Sequence, residues 1–223
     1  MRALVFVLLL TTASGCRSKS LPPASEPPAS SAAPESATAR FWSWFRQNAA
    51  ALRADADLER TMNRISAELA KEHDGVFAEI GGDGPNRTLV LSVDGKKELF
   101  PLVQALYAAR PSVEGWTIVA FRQRDADLTP IEMGGRKLDP KAMKFVAKKN
   151  GSVFDVTIYV PGFTNADDFG SILFIALDHT VGEYDMETRV GGIDWQKLEK
   201  APADARPLGE LPKLIDETFP PKH

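Results

Sequence analysis

From residue 17 to residue 39 the chain is built almost wholly of Pro, Ser and Ala, as in LPPASEPPASSAAPESATA. Such a stretch has too little apolar surface to offset the entropy lost on ordering it, so it is expected to be a disordered linker. Folding is thereby confined to residues 40–223, enough chain for one domain with its own core. In polyproline geometry, at about 3.1 Å per residue, the linker extends to roughly 70 Å.

Ahead of the linker stands MRALVFVLLLTTASGC, with one basic residue at Arg2, an apolar run over residues 3–10, and small or polar residues up to Cys16. The run falls far short of the roughly 20 residues that span a bilayer, so it reads as a secretory signal. Cys16 is the only cysteine in the sequence, and no disulfide partner within the chain accounts for it. Ala13-Ser14-Gly15-Cys16 resembles the lipobox of bacterial lipoproteins, with Ala13 where leucine is more usual. The resemblance implies a signal peptide over residues 1–15, a diacylglyceryl group on the Cys16 sulfur, cleavage before Cys16 and acylation of the new amino terminus. Two or more acyl chains hold a protein firmly where one holds it marginally, so the implied membrane anchor is permanent. Arg17 stands where many lipoproteins retained at the inner membrane carry aspartate. The implied location is the cell envelope, at the outer membrane where the organism has two.

Losing Arg2 with the signal takes the formal net charge from −3 to −4. A mildly acidic chain without a basic run lacks the electrostatic footprint for phosphate backbones, so nucleic acid is not an expected partner. With no second cysteine, thiolate zinc sites and iron–sulfur clusters are not expected either, and no cofactor is indicated. Chemistry in this chain falls to oxygen and nitrogen groups.

Hydrophobic spacing predicts two helices, one carrying Phe41, Trp44, Phe45 and Leu52 and one carrying Leu58, Met62, Ile65 and Leu69, with a break at residues 55–57. After a linker that separates, FWSWF is expected to pack in a core and not in a membrane interface. VFAEI and TLVLSV read as hairpin strands around GGDGPNR. A helix follows through Leu99, Leu102, Val103 and Leu106, with Pro101 in its first turn, and then the buried strand WTIVAF. Residues 122–141 form a long polar connection, functional or simply mobile. Asn150-Gly151 is the strongest hairpin signal, DDFGSILFIALDHTV a buried helix, EYDMETRV an alternating strand, and LGELPKLIDETF a short final helix. The order hairpin, helix, strand thus occurs over residues 76–121 and again over 143–190. The expected class is α+β, a mixed or largely antiparallel sheet with helices packed on it and a possible repeated ββαβ order.

The chemically richest stretch is IALDHTVGEYDMETR. His179 and Glu183 are four apart, the spacing of a two-ligand helical metal site, but Gly182 between them is expected to end the helix. The reading favoured here makes His179 an end-of-helix residue that complements the helix dipole. Glu183, Asp185, Glu187 and Arg189 then form the wet face of a strand. The chemical alternative is an acid–base or metal site drawing on His179, Glu183 and Asp185, with Glu79 as a distant carboxylate. His73 closes a predicted helix, and His223 is the last residue. No serine lies in a nucleophile-elbow pattern, and no nucleophile, base and orienter assemble from the sequence.

FWSWF, LSVDGKKELFPLVQALYAARPSVEGWTIVAFRQR and LDHTVGEYDMETRVG resemble segments of an uncharacterised bacterial protein family. The resemblance implies a class and carries no catalytic residues. The expectation is therefore a lipid-anchored envelope protein that displays a non-enzymatic binding or interaction domain, with an envelope protein as a possible partner. Alternatives are a metal-dependent or acid–base enzyme using residues 179–187 and an immunity-type inhibitor of a toxin.

Overall fold

A computed structural model describes residues 35–82 and 86–220. The signal segment, Cys16, the linker up to residue 34 and His223 lie outside the described residues. Helix α1 (Ala37–Ala54) starts inside the segment read as linker, because the Ser36 hydroxyl accepts the Ala39 N–H and caps it. Asp57 does the same for α2 (Leu58–Ala70) by accepting the Arg60 N–H at 2.9 Å.

The first half continues with strands β1 (Phe77–Gly81) and β2 (Arg87–Ser92), helix α3 (Phe100–Ala108) and strand β3 (Trp116–Ala120). β1 pairs antiparallel with β2, and β3 returns to pair parallel with β2. Phe41, Trp42 and Phe45 are buried against this sheet, with Trp42 donating its indole N–H to the Leu106 carbonyl at 3.0 Å. FWSWF is core, although Trp42 and not Trp44 is its fully buried tryptophan.

A small hairpin, β4 (Ile131–Met133) and β5 (Arg136–Leu138), interrupts the segment read as a polar connection. The second half then repeats the topology of the first. β6 (Lys144–Asn150) and β7 (Val153–Val160) form an antiparallel hairpin, helices α4 (Ala166–Phe169), α5 (Ile172–Val181) and α6 (Glu183–Arg189) follow, and β8 (Val190–Lys197) pairs parallel with β7. The short β9 (Arg206–Pro207) adds to β6, and α7 (Leu211–Thr218) closes the described chain. Both halves are ββαβ units, with strand orders β1-β2-β3 and β8-β7-β6-β9. Each has its own apolar cluster, one drawn from residues 41–121 and the other from residues 138–215, instead of one sheet with one core.

Three local expectations change. Asn150 is the last residue of β6, paired with Val153, so the turn is Gly151-Ser152 with positive φ at Gly151 only. EYDMETR is helix α6 and not a strand, and the strand of the second unit begins only at Val190. His73, read as closing a helix, lies beyond the end of α2 at Ala70 and is 4% exposed with Nε2 unpartnered, a buried imidazole.

Burial holds the His73 pKa below its ordinary value, against an opposing hydrogen bond to the Ala37 backbone. The unfolded chain then binds the proton more readily, and folding stability is complete above about pH 6.5 and lost as pH falls toward the folded value. Urea midpoints are expected to drop between pH 7.5 and 5.5, and to drop less for His73→Leu. Equal slopes in the two proteins would remove His73 as the cause.

Candidate functional site

The junction of the two halves is built around the residues that leave β3. Phe121 has φ 64, an uncommon conformation for a bulky residue, and is held there by a 2.8 Å bond from its N–H to the Leu91 carbonyl and by packing on Phe100 and Tyr184. This turn sends Arg122 and Arg124 toward the second half.

Glu183 is fully buried. Its Oε1 accepts the N–H groups of Val93 at 3.0 Å and Gly95 at 3.2 Å, and its Oε2 accepts that of Arg122 at 3.1 Å. The Glu183 N–H in turn donates to the Arg122 carbonyl at 3.0 Å. One carboxylate from the start of α6 therefore satisfies the β2–α3 turn and the end of β3 together. This overturns the reading of Glu183 as a wet strand residue. Gly182 enables the approach with φ 82 and ψ 150, a conformation that is extended and not left-handed helical; a Cβ there would lie 3.2 Å from the Arg122 carbonyl oxygen.

Asp185 is also committed, accepting from Arg124 Nη2 at 2.6 Å. Arg124 further grips both Asp216 oxygens on α7, at 2.7 and 2.8 Å, and its Nε donates to the Val181 carbonyl at the end of α5. The Asp216 contacts, against burial and with help from Asp185, raise the Arg124 pKa, and Arg124 holds Asp216 below the ordinary carboxylate range. The fork shape of the guanidinium suits this bidentate role.

Arg122 serves the opposite side of the joint. Its Nε donates to Asp178 at 2.8 Å, Nη1 to Glu79 at 2.8 Å, and Asp94 lies at 3.3 Å from Nη2. Burial opposes the charged guanidinium, but Asp178, Glu79 and Glu183 outweigh it and raise the pKa. One cation is thus shared among several carboxylates. Burial pushes the Asp178 carboxyl up in spite of Arg122, and burial followed by the nearby Asp178 charge pushes Glu187 up against Lys97.

The four sequence candidates thus part company. Glu183 and Asp185 hold the joint. Glu79, on β1, and His179, near the end of α5, line the same hollow of about 430 Å³ with Asp94, Arg122, Asp178 and Glu187. Among the described residues no group of His, Asp and Glu has an arrangement suited to hold a metal ion. Arg122, Arg124, Asp178 and Asp216 were not singled out from the sequence; the available signal was FRQR leaving a core strand, which says that charges must find partners but not which. No described helix is long and apolar enough to cross a membrane.

Comparison of the chain with protein-family models, with curated proteins and with solved structures finds no match.

Proposed function

We propose that the chain is a lipid-anchored protein of the bacterial cell envelope that displays a non-enzymatic binding domain, with the hollow at the junction of its two halves as the ligand surface. The observation that carries the binding reading is the division of labour at the joint. Glu183 and Asp185 are spent on backbone N–H groups and on Arg124, while His179 and Glu187, with Glu79 and Asp178 paired to Arg122, border an open hollow. The anchor rests on the lipobox-like Ala13-Ser14-Gly15-Cys16 and the lone cysteine, and the linker supplies reach between anchor and domain.

A second reading is favoured by one observation. His179 lies in the same hollow as Asp178 and Glu187, whose carboxyls burial raises, which is how acid–base groups are tuned toward neutral pH. One equivalent of metal in protein purified without chelators, lost in His179→Ala, would make an enzyme the stronger account.

The anchor is tested by metabolic lipid labelling and detergent partitioning. Wild type is expected to carry label and enter the detergent phase. Cys16→Ser, lacking the sulfur that accepts the diacylglyceryl group, is expected to stay unlabelled and unprocessed. An unlabelled wild-type protein would sink the envelope-anchor reading.

A further inference from the structure

The hollow beside Arg122 does not end there. A second hollow of about 510 Å³ shares Glu79, Arg122 and His179 with the first and continues past Val90, Pro130 and Ile131. Each is within the roughly 300–1,000 Å³ typical of binding sites, and together they make one groove across the junction. The first hollow has an apolar wall of Ile175, Met186 and Phe174, the last 51% exposed and held edge-on against Trp195 at 5.7 Å. An aromatic ring kept rigid by a neighbour and left facing solvent is a ready contact surface.

The charge along the groove is one-sided. Glu79, Asp94, Asp125, Asp178 and Glu187 border it, against Arg122 and His179. Arg122 already gives its donors to Glu79, Asp94 and Asp178. Glu187, with Lys97 nearby as a partial counter-charge, stands in the wall between Met186 and the Asp94-Gly95 turn and accepts no hydrogen bond from a described residue. The groove therefore combines an apolar wall with an excess of acidic over basic side chains.

Resting on the binding-domain reading above, we propose that this groove docks an extended segment of a partner protein in which lysine or arginine alternates with aliphatic residues. The cation meets Glu187 and Glu79, and the aliphatic side chains cover Phe174 and Met186. Charge complementarity selects this occupant: an acidic segment or an anionic lipid surface would be repelled, and a small polyamine would leave the apolar wall uncovered.

The test uses the full chain in nanodiscs of zwitterionic lipid, with empty nanodiscs subtracted, and fluorescence anisotropy of a labelled short peptide alternating lysine and leucine. Saturable binding is expected, weakened by added salt and weakened by about tenfold or more in Phe174→Ala and in Glu187→Gln. Phe174 is half exposed and no hydrogen bond from a described residue fixes the Glu187 side chain, so both variants are expected to keep the wild-type thermal midpoint; a variant that does not is replaced by Phe174→Ser or Glu187→Ala. A peptide with glutamate for lysine is expected not to bind, and one with serine for leucine to bind much more weakly. The proposal is overturned if there is no saturable binding, if neither variant weakens it, or if the serine peptide binds as well as the leucine one. Lipid labelling of Cys16 is read independently, so loss of the peptide result leaves the anchor result standing.

Discussion

Glu183→Ala is expected to destabilise the protein by about 4 kcal/mol or more. The carboxylate is fully buried and accepts three backbone N–H groups, from Val93, Gly95 and Arg122. Truncation leaves these donors in an enclosed space without partners, at about 1–3 kcal/mol for each one that water does not reach. Glu183→Gln separates the contributions. Its amide oxygen still accepts from Val93 and Gly95, but its amino group faces the Arg122 N–H, donor against donor. The expected order of denaturant midpoints is wild type, then Gln, then Ala, with similar slopes. An Ala variant within about 1 kcal/mol of wild type would show that water replaces the carboxylate and that the joint is not held this way.

Gly182→Ala is expected to cost about 2–3 kcal/mol, because φ 82 with ψ 150 lies in a region that is almost exclusive to glycine. The added Cβ also meets the Arg122 carbonyl oxygen at 3.2 Å and the Arg124 backbone nitrogen at 3.4 Å, both backbone atoms that cannot swing aside. The same backbone carries the Glu183 bonds, so relieving the contact by moving α6 disturbs Val93 and Gly95 as well. Gly134→Ala provides the comparison: its φ is also positive at 56, but nothing lies within 4 Å of the added carbon. Thermal unfolding of the two variants should show a far larger shift for Gly182. Equal shifts would mean that neither the backbone region of Gly182 nor the close approach at the joint adds to the ordinary cost of a positive φ.

Much of the architecture was legible because it depends on local patterns. The apolar spacing through Phe41, Phe45 and Leu52 and through Ile65 and Leu69 marks two helices in any context, since a 3.6-residue period places those side chains on one face. The break at Asp55 to Asp57 is local too: Asp57 caps the second helix with its own side chain. The two hairpins were readable from their turns, and the strand that returns after α3 from its apolar run, whereas β8 lies beyond the segment read as the second returning strand. The possible ββαβ repeat is read from element order with its last strand placed over residues 183–190, and the structure moves that strand to Val190–Lys197.

Residues 183–189 show where that reading stops. Glu183-Tyr184-Asp185-Met186-Glu187 alternates polar and apolar residues as a half-buried strand does, yet forms a helix. The same residues also fit a helix, in which Glu183 is buried and Met186, three residues on, packs against the second apolar cluster. What selects the helix is the position of Glu183, whose acceptors are satisfied by Val93, Gly95 and Arg122, between 61 and 90 residues away in sequence. A buried carboxylate carries no local mark of burial, because its stabilisation comes from donors that only the folded chain brings to it. Arg122 and Arg124 were obscure for the same reason, their partners lying on β1, α5, α6 and α7. The sequence by itself determined the α+β class, the first helices and the two hairpins. The tertiary structure alone decided how the two units lock together, which acids the lock consumes and which it leaves facing the groove, because those outcomes depend on polar groups meeting across the whole chain and not on any periodicity within it.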